Sequence, residues 1–499
     1  MPPSLAELTE LAATADGPGI VSQGQPLPGG VDPLGLRQIN FDLMDRVFPG
    51  INNVARHIRP FTVVAWAWRR AAQVADMQGQ RRVLPSVLHD FVARIEVAFA
   101  WSQFVRDPQC SLPGRDVIAP LLGEAEYRFG GKAWERRRDA RTYSTALSAP
   151  VNYGPAVKAF GWVQAGPDGG FAASEAVQDA MAAMDEAMSP FLDHPALSSF
   201  SPVTVTAADI RSWGEAWALD RPTETERAAM LAAMHGERAP KCRREGVELA
   251  LAAARLLGAD ATTQAVRRTM CGTPGAFRPP PGLEDIASAW RAMQVRQTFR
   301  LALEGLFHWL CLRLRGSPPT PTGDLVADFL AAAGDAGNAG NWLAEALRPD
   351  FGPVEWLDEL HACLADAERR DDLPATIRGA LAACIAEAPE NAGTERRDRL
   401  PLARAAEEAD GWKPHSAADF FGHVVDSWVF GQHVYWSVGR GLADARARGK
   451  SILRLRVAVE EGGWTLMPGA QTPAPRATPD RLDTMLCLMG ECGLLEIDS

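Results

Sequence analysis

Between His415 and Leu442 the chain reads HSAADFFGHVVDSWVFGQHVYWSVGRGL, and intervals of three, four and seven place His423, Asp426, Phe430, His433 and Ser437 on one face of a helix. A face carrying two imidazoles and a carboxylate is raw material for a metal site or for acid–base chemistry. A straight helix nevertheless holds His423 and His433 about 15 Å apart, so they share an ion only if Gly431 breaks the helix. Asp426 and His433 are also two turns apart and need partners from another element. The competing reading is a polar face satisfied across a helix interface, with glycines at 422, 431, 439 and 441 letting a second helix come close.

A second group lies in VDPLGLRQINFDLMDRVFPGINNVARHIRPFTVVAWAWRRA, Val31 to Ala71. Phe48, Pro49 and Gly50 break a helix, and Asn52 or Asn53 can cap the next. Arg56, His57 and Arg59 follow ahead of Pro60, near a fresh helix N-terminus whose unpaired N–H groups suit a phosphate or a partner carboxylate. Alternatively the two arginines pin the turn by bonding carbonyls or an acidic neighbour. Trp66 and Trp68 point to different faces of the helix beginning near Phe61, among Val63, Val64, Ala65 and Ala67, which reads as core rather than as a base-stacking platform.

Basic residues cluster twice, as Arg136, Arg137, Arg138 and Arg141, and as Arg440, Arg446, Arg448, Lys450, Arg454 and Arg456. The second run could neutralise phosphates of DNA or RNA without reading bases; otherwise it is a solvated face. His308 and Cys311 share a helical face and supply half a zinc site, and both read as core. The eight cysteines show no CxxC pair and read as buried thiols. P-loop, Rossmann, HExxH, GxSxG and kinase signatures are absent, so no cofactor is expected.

These side chains need elements to hold them. Alanine, leucine and arginine recur at helical intervals through most of the chain. From Leu283 to Leu314, Ile286, Trp290, Met293, Gln297, Leu301, Glu304 and His308 fall on one side and Phe299, Leu303, Leu306 and Leu310 on the next, which predicts a long, mostly buried helix. Ser416 and Asp419 form a capping box that starts the helix of the His423 face. Strand signals gather at the end. Leu453, Leu455, Val457 and Val459 alternate inward, turn through Glu460 to Gly463 and return through Trp464 to Met467. A helix with Leu482, Met485, Leu486 and Met489 on one stripe follows, stops near Gly493 and gives way to a short apolar strand. Proline- and glycine-rich stretches at 272–282, 315–323 and 468–479 predict surface loops or lobe junctions.

The fold class that emerges is mainly α: an irregular multi-lobed helical protein with a small C-terminal α+β cap, hairpin plus helix, with some likeness to a winged helix. No repeat of a solenoid period is present. The expected organisation is a flexible arm over 1–30, helical lobes over 31–200, 201–316 and 317–412, and a helix plus cap over 413–499. A formal net charge of −11 over 499 residues argues against whole-surface attraction to nucleic acid and confines any such contact to a region. No charged leader or long apolar run appears, which points to the cytoplasm and to partners other than a membrane.

Two patches, DPLGLRQINFDLMDRVFPGINNVARHIRPFTVVAWAWRRA and DSWVFGQHVYWSVGRGL with RLRVAVEEGGW, resemble uncharacterised bacterial proteins of anti-phage defence islands. Pro49, Gly50, Arg56, Arg59, Phe61 and Trp66 occupy the positions of that family's PG turn, arginine and aromatic helix, with Pro60 and Phe61 where paired tyrosines are common. YGPAVKAFGWV and WRAMQVRQTFRLALEGLFHW extend the likeness. The resemblance implies a non-catalytic accessory, scaffold or sensor subunit that works with other protein subunits, a separately encoded ATPase or nuclease among them. It transfers no catalytic residue. A nucleic-acid-binding module and a metal-dependent enzyme of unrecognised class stand as the alternatives.

Overall fold

The computed structural model describes residues 32–80, 82–139, 153–166, 170–272, 277–335, 337–388, 399–448 and 454–496. Helices dominate the described residues, with a few short strands in two-stranded antiparallel sheets. The chain divides into two compact units whose segments interleave. Unit one takes the described parts of Met1–Met44, Arg267–Arg278 and Ala287–Thr478; unit two takes those of Asp45–Val266, Pro279–Ile286 and Pro479–Ser499.

The long helix forms as its periodicity requires, over Glu284–Arg313, with Glu284 and Asp285 in its first turn and Arg313 in its last to suit the macrodipole. From Ala287 onward it is the axis of unit one. From Met293 to Phe307 every residue is buried, Gln294, Arg296, Gln297, Arg300 and Glu304 included: Phe299, Leu303, Leu306 and Leu310 join Phe329, Trp342, Phe421, Trp428 and Phe430 in one core. Phe329 stacks on Phe421 with ring centroids 4.1 Å apart. Helices Pro353–Ala365 and Leu373–Ala386 pack closely on each other. Their approach depends on Gly379, where an added Cβ would fall 2.0 Å from Cη2 of Trp356. Gly379→Ala should destabilise unit one by about 1–3 kcal/mol or more through overpacking, despite alanine's better helix propensity. A lower urea midpoint checks this; an unchanged or higher one contradicts it.

Unit two is built on helices Arg59–Met77, Pro85–Arg106 and Ala207–Ala216. Trp66 and Trp68 are both buried, as a core pair should be. Trp66 donates from Nε1 to Asp185 at 2.7 Å, and Trp68 meets His89 and Phe171 edge-on. The unit also holds strands away from the C-terminus: Glu126–Phe129 pairs with Val203–Thr206, and Val163–Ala165 with Phe171–Ala173. At three or four residues each, they are too short for alternation to announce them.

At the end of the chain, Val457–Glu460 pairs antiparallel with Gly463–Leu466 through a two-residue turn, and the helix Leu482–Glu491 follows. The hairpin belongs to unit one and the helix to unit two. Val457 is fully buried but Val459, paired with Trp464 near the turn, is 66 % exposed. Leu455 is half-buried, and Leu453 lies outside the described residues. No strand follows the last helix within the described residues. Gly493 adopts φ +75°, and the Leu494 N–H closes on the Met489 carbonyl at 2.9 Å, a Schellman ending.

Candidate functional site

The side chains at 423, 426 and 433 do not converge. Ser416 does cap the helix, accepting the Asp419 N–H at 3.0 Å. Val424–Gly431, however, is π-helical, and its wider turns rotate later residues off the face that a 3.6-residue period would build. His423 bonds Glu408 at 2.9 Å and stacks on Trp412. Asp426 accepts from Thr322 Oγ1 at 2.7 Å and from Trp464 Nε1 at 3.3 Å. His433 is fully buried against Phe307, its Nδ1 2.8 Å from the Pro33 carbonyl and its Nε2 accepting the Arg456 N–H at 2.9 Å. No group of three His, Cys, Asp or Glu among the described residues could hold a metal ion.

Arg56, His57 and Arg59 are each engaged within unit two. Asn52 caps the turn at Val54 and Ala55, and the helix itself begins only at Arg59. Arg56 pairs with Asp483 at 2.5 Å and Arg59 with Glu226 at 3.1 Å, while Arg59 also reaches the Arg221 carbonyl. His57 bonds Glu491 and Ser111, each at 2.6 Å. Glu491 further accepts the Ile58 N–H at 2.7 Å. The anion at this helix start is thus the chain's own carboxylate.

Of the later basic run, Arg440 is exposed, Arg454 half-buried and Arg456 buried. Arg446 and Arg448 fall on the helix Gln432–Arg448, but their side chains, like Lys450, lie outside the described residues. Of the eight cysteines, all free, Cys271, Cys311, Cys363 and Cys384 are buried and the other four only half-buried.

What unit one does assemble is a cavity of about 1030 Å³. Glu304, Phe307 and His308 present it with one face of the long helix. Arg37 enters from the start of helix Arg37–Met44, a turn fixed by Asp32 accepting the Leu36 and Arg37 N–H groups at 3.0 and 3.2 Å. Arg456 comes from the residue before the hairpin and His361 from helix Pro353–Ala365. The remaining wall is the stretch Thr472–Ala477. Its sequence predicts a surface loop, yet it is pinned inward: His361 Nε2 accepts the Ala477 N–H at 2.8 Å, Arg300 donates to the Arg476 carbonyl at 2.9 Å, and Arg315 to Thr472 Oγ1 at 2.5 Å.

Charge on this wall is lopsided. Arg37, Arg456 and Arg476 line it, and the lone carboxylate among its lining residues, Glu304, already pairs with Arg300 at 2.7 Å, both fully or almost fully buried. Burial holds Arg37 below its ordinary value, reinforced by Arg300 and opposed by Glu304 and Asp32. Burial likewise lowers Arg456, against Cys311 and Glu304. Guanidinium is so basic that both stay charged. Burial also lowers His308 and His361, with nearby arginines adding to it, so both rings are neutral near pH 7. Burial pushes Glu304 up and Arg300 opposes it.

No protein-family model, curated protein or solved structure matches this chain. The cavity of unit one is the concavity in which basic side chains gather. Three buried polar atoms on its lining residues make no hydrogen bond: Arg37 Nε, Glu304 Oε1 and His308 Nδ1. Each of the three exposes less than 1 Å², so they lie beneath the surface of the cavity and not on it. Of its lining residues, Arg456 stood in the cationic run and Glu304 and His308 on the helical face read from the sequence. Arg37, His361 and Arg476 gave no local signal.

Proposed function

We propose that this protein is a sensor or accessory subunit that binds a small anionic molecule in the cavity of unit one and works with separately encoded protein partners. The observation that carries the reading is the wall of Arg37, Arg456 and Arg476 with its single, already matched carboxylate. In a chain of net charge −11, a locally positive concavity attracts anions and holds them more strongly than a flat exposed patch would. Guanidinium forks match carboxylate and phosphate oxygens in pairs. The resemblance to anti-phage defence-island proteins supplies the context, a bacterial defence complex with an ATPase or nuclease as effector.

The nucleic-acid reading draws less support, because Arg456 is buried and Arg454 half-buried. No helix among the described residues is long and apolar enough to cross a membrane.

Thermal unfolding with pyrophosphate, citrate or a neutral sugar tests the binding half. A ligand present at about 100 times its Kd adds roughly 2.7 kcal/mol, so an anion should raise the Tm by several degrees while the sugar does not. Arg37→Met should abolish the rise. No shift with any anion, or an equal shift in the variant, contradicts the reading. Co-purification with the products of adjacent genes tests the subunit half; a chain that never associates contradicts it.

A further inference from the structure

We infer that Ser111, His57 and Glu491 form an acyl-transfer triad whose substrate class is carboxylic esters. All three belong to unit two, and the inference does not depend on the anion site of unit one. His57 Nε2 lies 2.6 Å from Ser111 Oγ, and Nδ1 lies 2.6 Å from Glu491 Oε1. The other oxygen of Glu491 accepts the Ile58 N–H at 2.7 Å. An ionised carboxylate can only accept, so Nδ1 carries the proton of the neutral ring and the Nε2 lone pair faces the Ser111 hydroxyl. A hydroxyl set against a base that a carboxylate orients is the arrangement that activates a serine. Such triads are defined by geometry and not by chain order, so the missing GxSxG pattern has no bearing on this one.

Each member is held by its own element. His57 precedes helix Arg59–Met77, and its N–H donates to Oη of the buried Tyr153 at 3.2 Å. Glu491 ends helix Leu482–Glu491, which Arg56 grips through Asp483. Ser111 lies in the loop after helix Pro85–Arg106. The imidazole and carboxylate are largely shielded while Ser111 is exposed, open to a substrate from solvent. Water could serve an exposed hydroxyl equally well, so its bond to His57 adds little to stability. For an oxyanion, the Ser111 N–H bonds nothing among the described residues, and the exposed Arg115 lies close enough to act on the neighbouring Cys110 thiol. One backbone donor and an exposed guanidinium stabilise an oxyanion only modestly, which suits an ester better than an amide with its poorer leaving group.

In the reaction Ser111 Oγ bonds to the carbonyl carbon as its proton passes to His57 Nε2, and the carbonyl π pair moves to oxygen. Collapse expels the alkoxide, which takes the proton from Nε2 and leaves acyl-Ser111. Water then gives its proton to Nε2 and attacks the acyl carbon; the acid departs and Ser111 recovers its proton. Glu491 stays ionised throughout and is a positioning residue.

Treatment of the full chain with a fluorophosphonate probe, with peptide mass mapping, and hydrolysis of p-nitrophenyl acetate test the inference. The probe should phosphonylate Ser111 with loss of fluoride. Ser111→Ala, at an exposed position, should keep the Tm and lose both the label and ester turnover. Glu491→Gln would keep its oxygen on the Ile58 N–H and turn its amide hydrogens to Nδ1, placing the ring proton on Nε2. Labelling and turnover should then fall about 100- to 10,000-fold in the folded variant, and Glu491→Asp should recover part of the loss. No label at Ser111 in the folded natural chain, equal turnover in Ser111→Ala, or undiminished labelling of folded Glu491→Gln overturns the triad.

Discussion

Replacing Glu304 by alanine should cost unit one about 3–5 kcal/mol of stability, the usual result of removing one partner from a buried ion pair. The Arg300 guanidinium would remain at 0 % exposure with the Arg476 carbonyl as its named partner. Arg37 would lose its nearest compensating carboxylate on the cavity wall and keep Asp32. Glutamine at the same position keeps the shape and an acceptor for Arg300, so Glu304→Gln should lose much less. The double variant Arg300→Met with Glu304→Leu should recover most of the loss, because well-packed apolar side chains often replace a buried ion pair without penalty. Urea midpoints of the three variants check this. A loss below about 1 kcal/mol for Glu304→Ala would mean that the pair is solvated.

The second large effect is acid sensitivity centred on His433. Its ring is committed to one neutral tautomer: Nδ1–H faces the Pro33 carbonyl and the Nε2 lone pair receives the Arg456 N–H. Protonation would set two N–H groups against each other in a buried site. Burial above all, opposed by the Pro33 carbonyl and reinforced by Arg456, lowers its pKa from 6.5 to about 4. The unfolded chain therefore binds a proton more readily than the folded one between about pH 6.5 and 4. Stability from this group is fully present above pH 6.5, falls as the pH drops through that window and levels off below about 4. A shift of this size corresponds to roughly 3 kcal/mol. His308 and His361 move in the same direction and add to the fall. Urea midpoints measured from pH 7.5 to 4.5 should decline steeply for the natural chain. His433→Gln, weaker at pH 7.5 for loss of the paired bonds, should decline less. Equal slopes would contradict the tautomer and the burial behind it.

Legibility from sequence follows the range over which each feature is encoded. The long helix, the Ser416 cap, the C-terminal hairpin and the final helix are local patterns, and each appears where the pattern lies. The π-helical stretch Val424–Gly431 breaks up the His423 face because the segment does not keep the period of 3.6 on which that face depends. Arg56, His57 and Arg59 show the limit of residue chemistry without partners: the composition suits an anion, and Asp483, Glu226 and Glu491, distant in sequence, supply it. The cavity is the extreme case. Residues 37, 304, 361, 456 and 476 meet only after folding, and Thr472–Ala477, composed like a surface loop, becomes a wall because Arg300, Arg315 and His361 hold it. Glu304 and His308 were visible on one helix face, but nothing local says that such a face borders a cavity.

Hydrogen exchange of the intact chain with and without saturating pyrophosphate locates the anion site most directly. Slowed exchange should be confined to the backbone around Pro33 to Arg37, His361, Arg456 and Thr472 to Ala477, and Arg37→Met should remove it. Protection centred instead on Arg56 to Arg59 or along Arg440 and the helix that carries it, or no protection anywhere, would contradict the assignment of this cavity as the place where the protein receives its ligand.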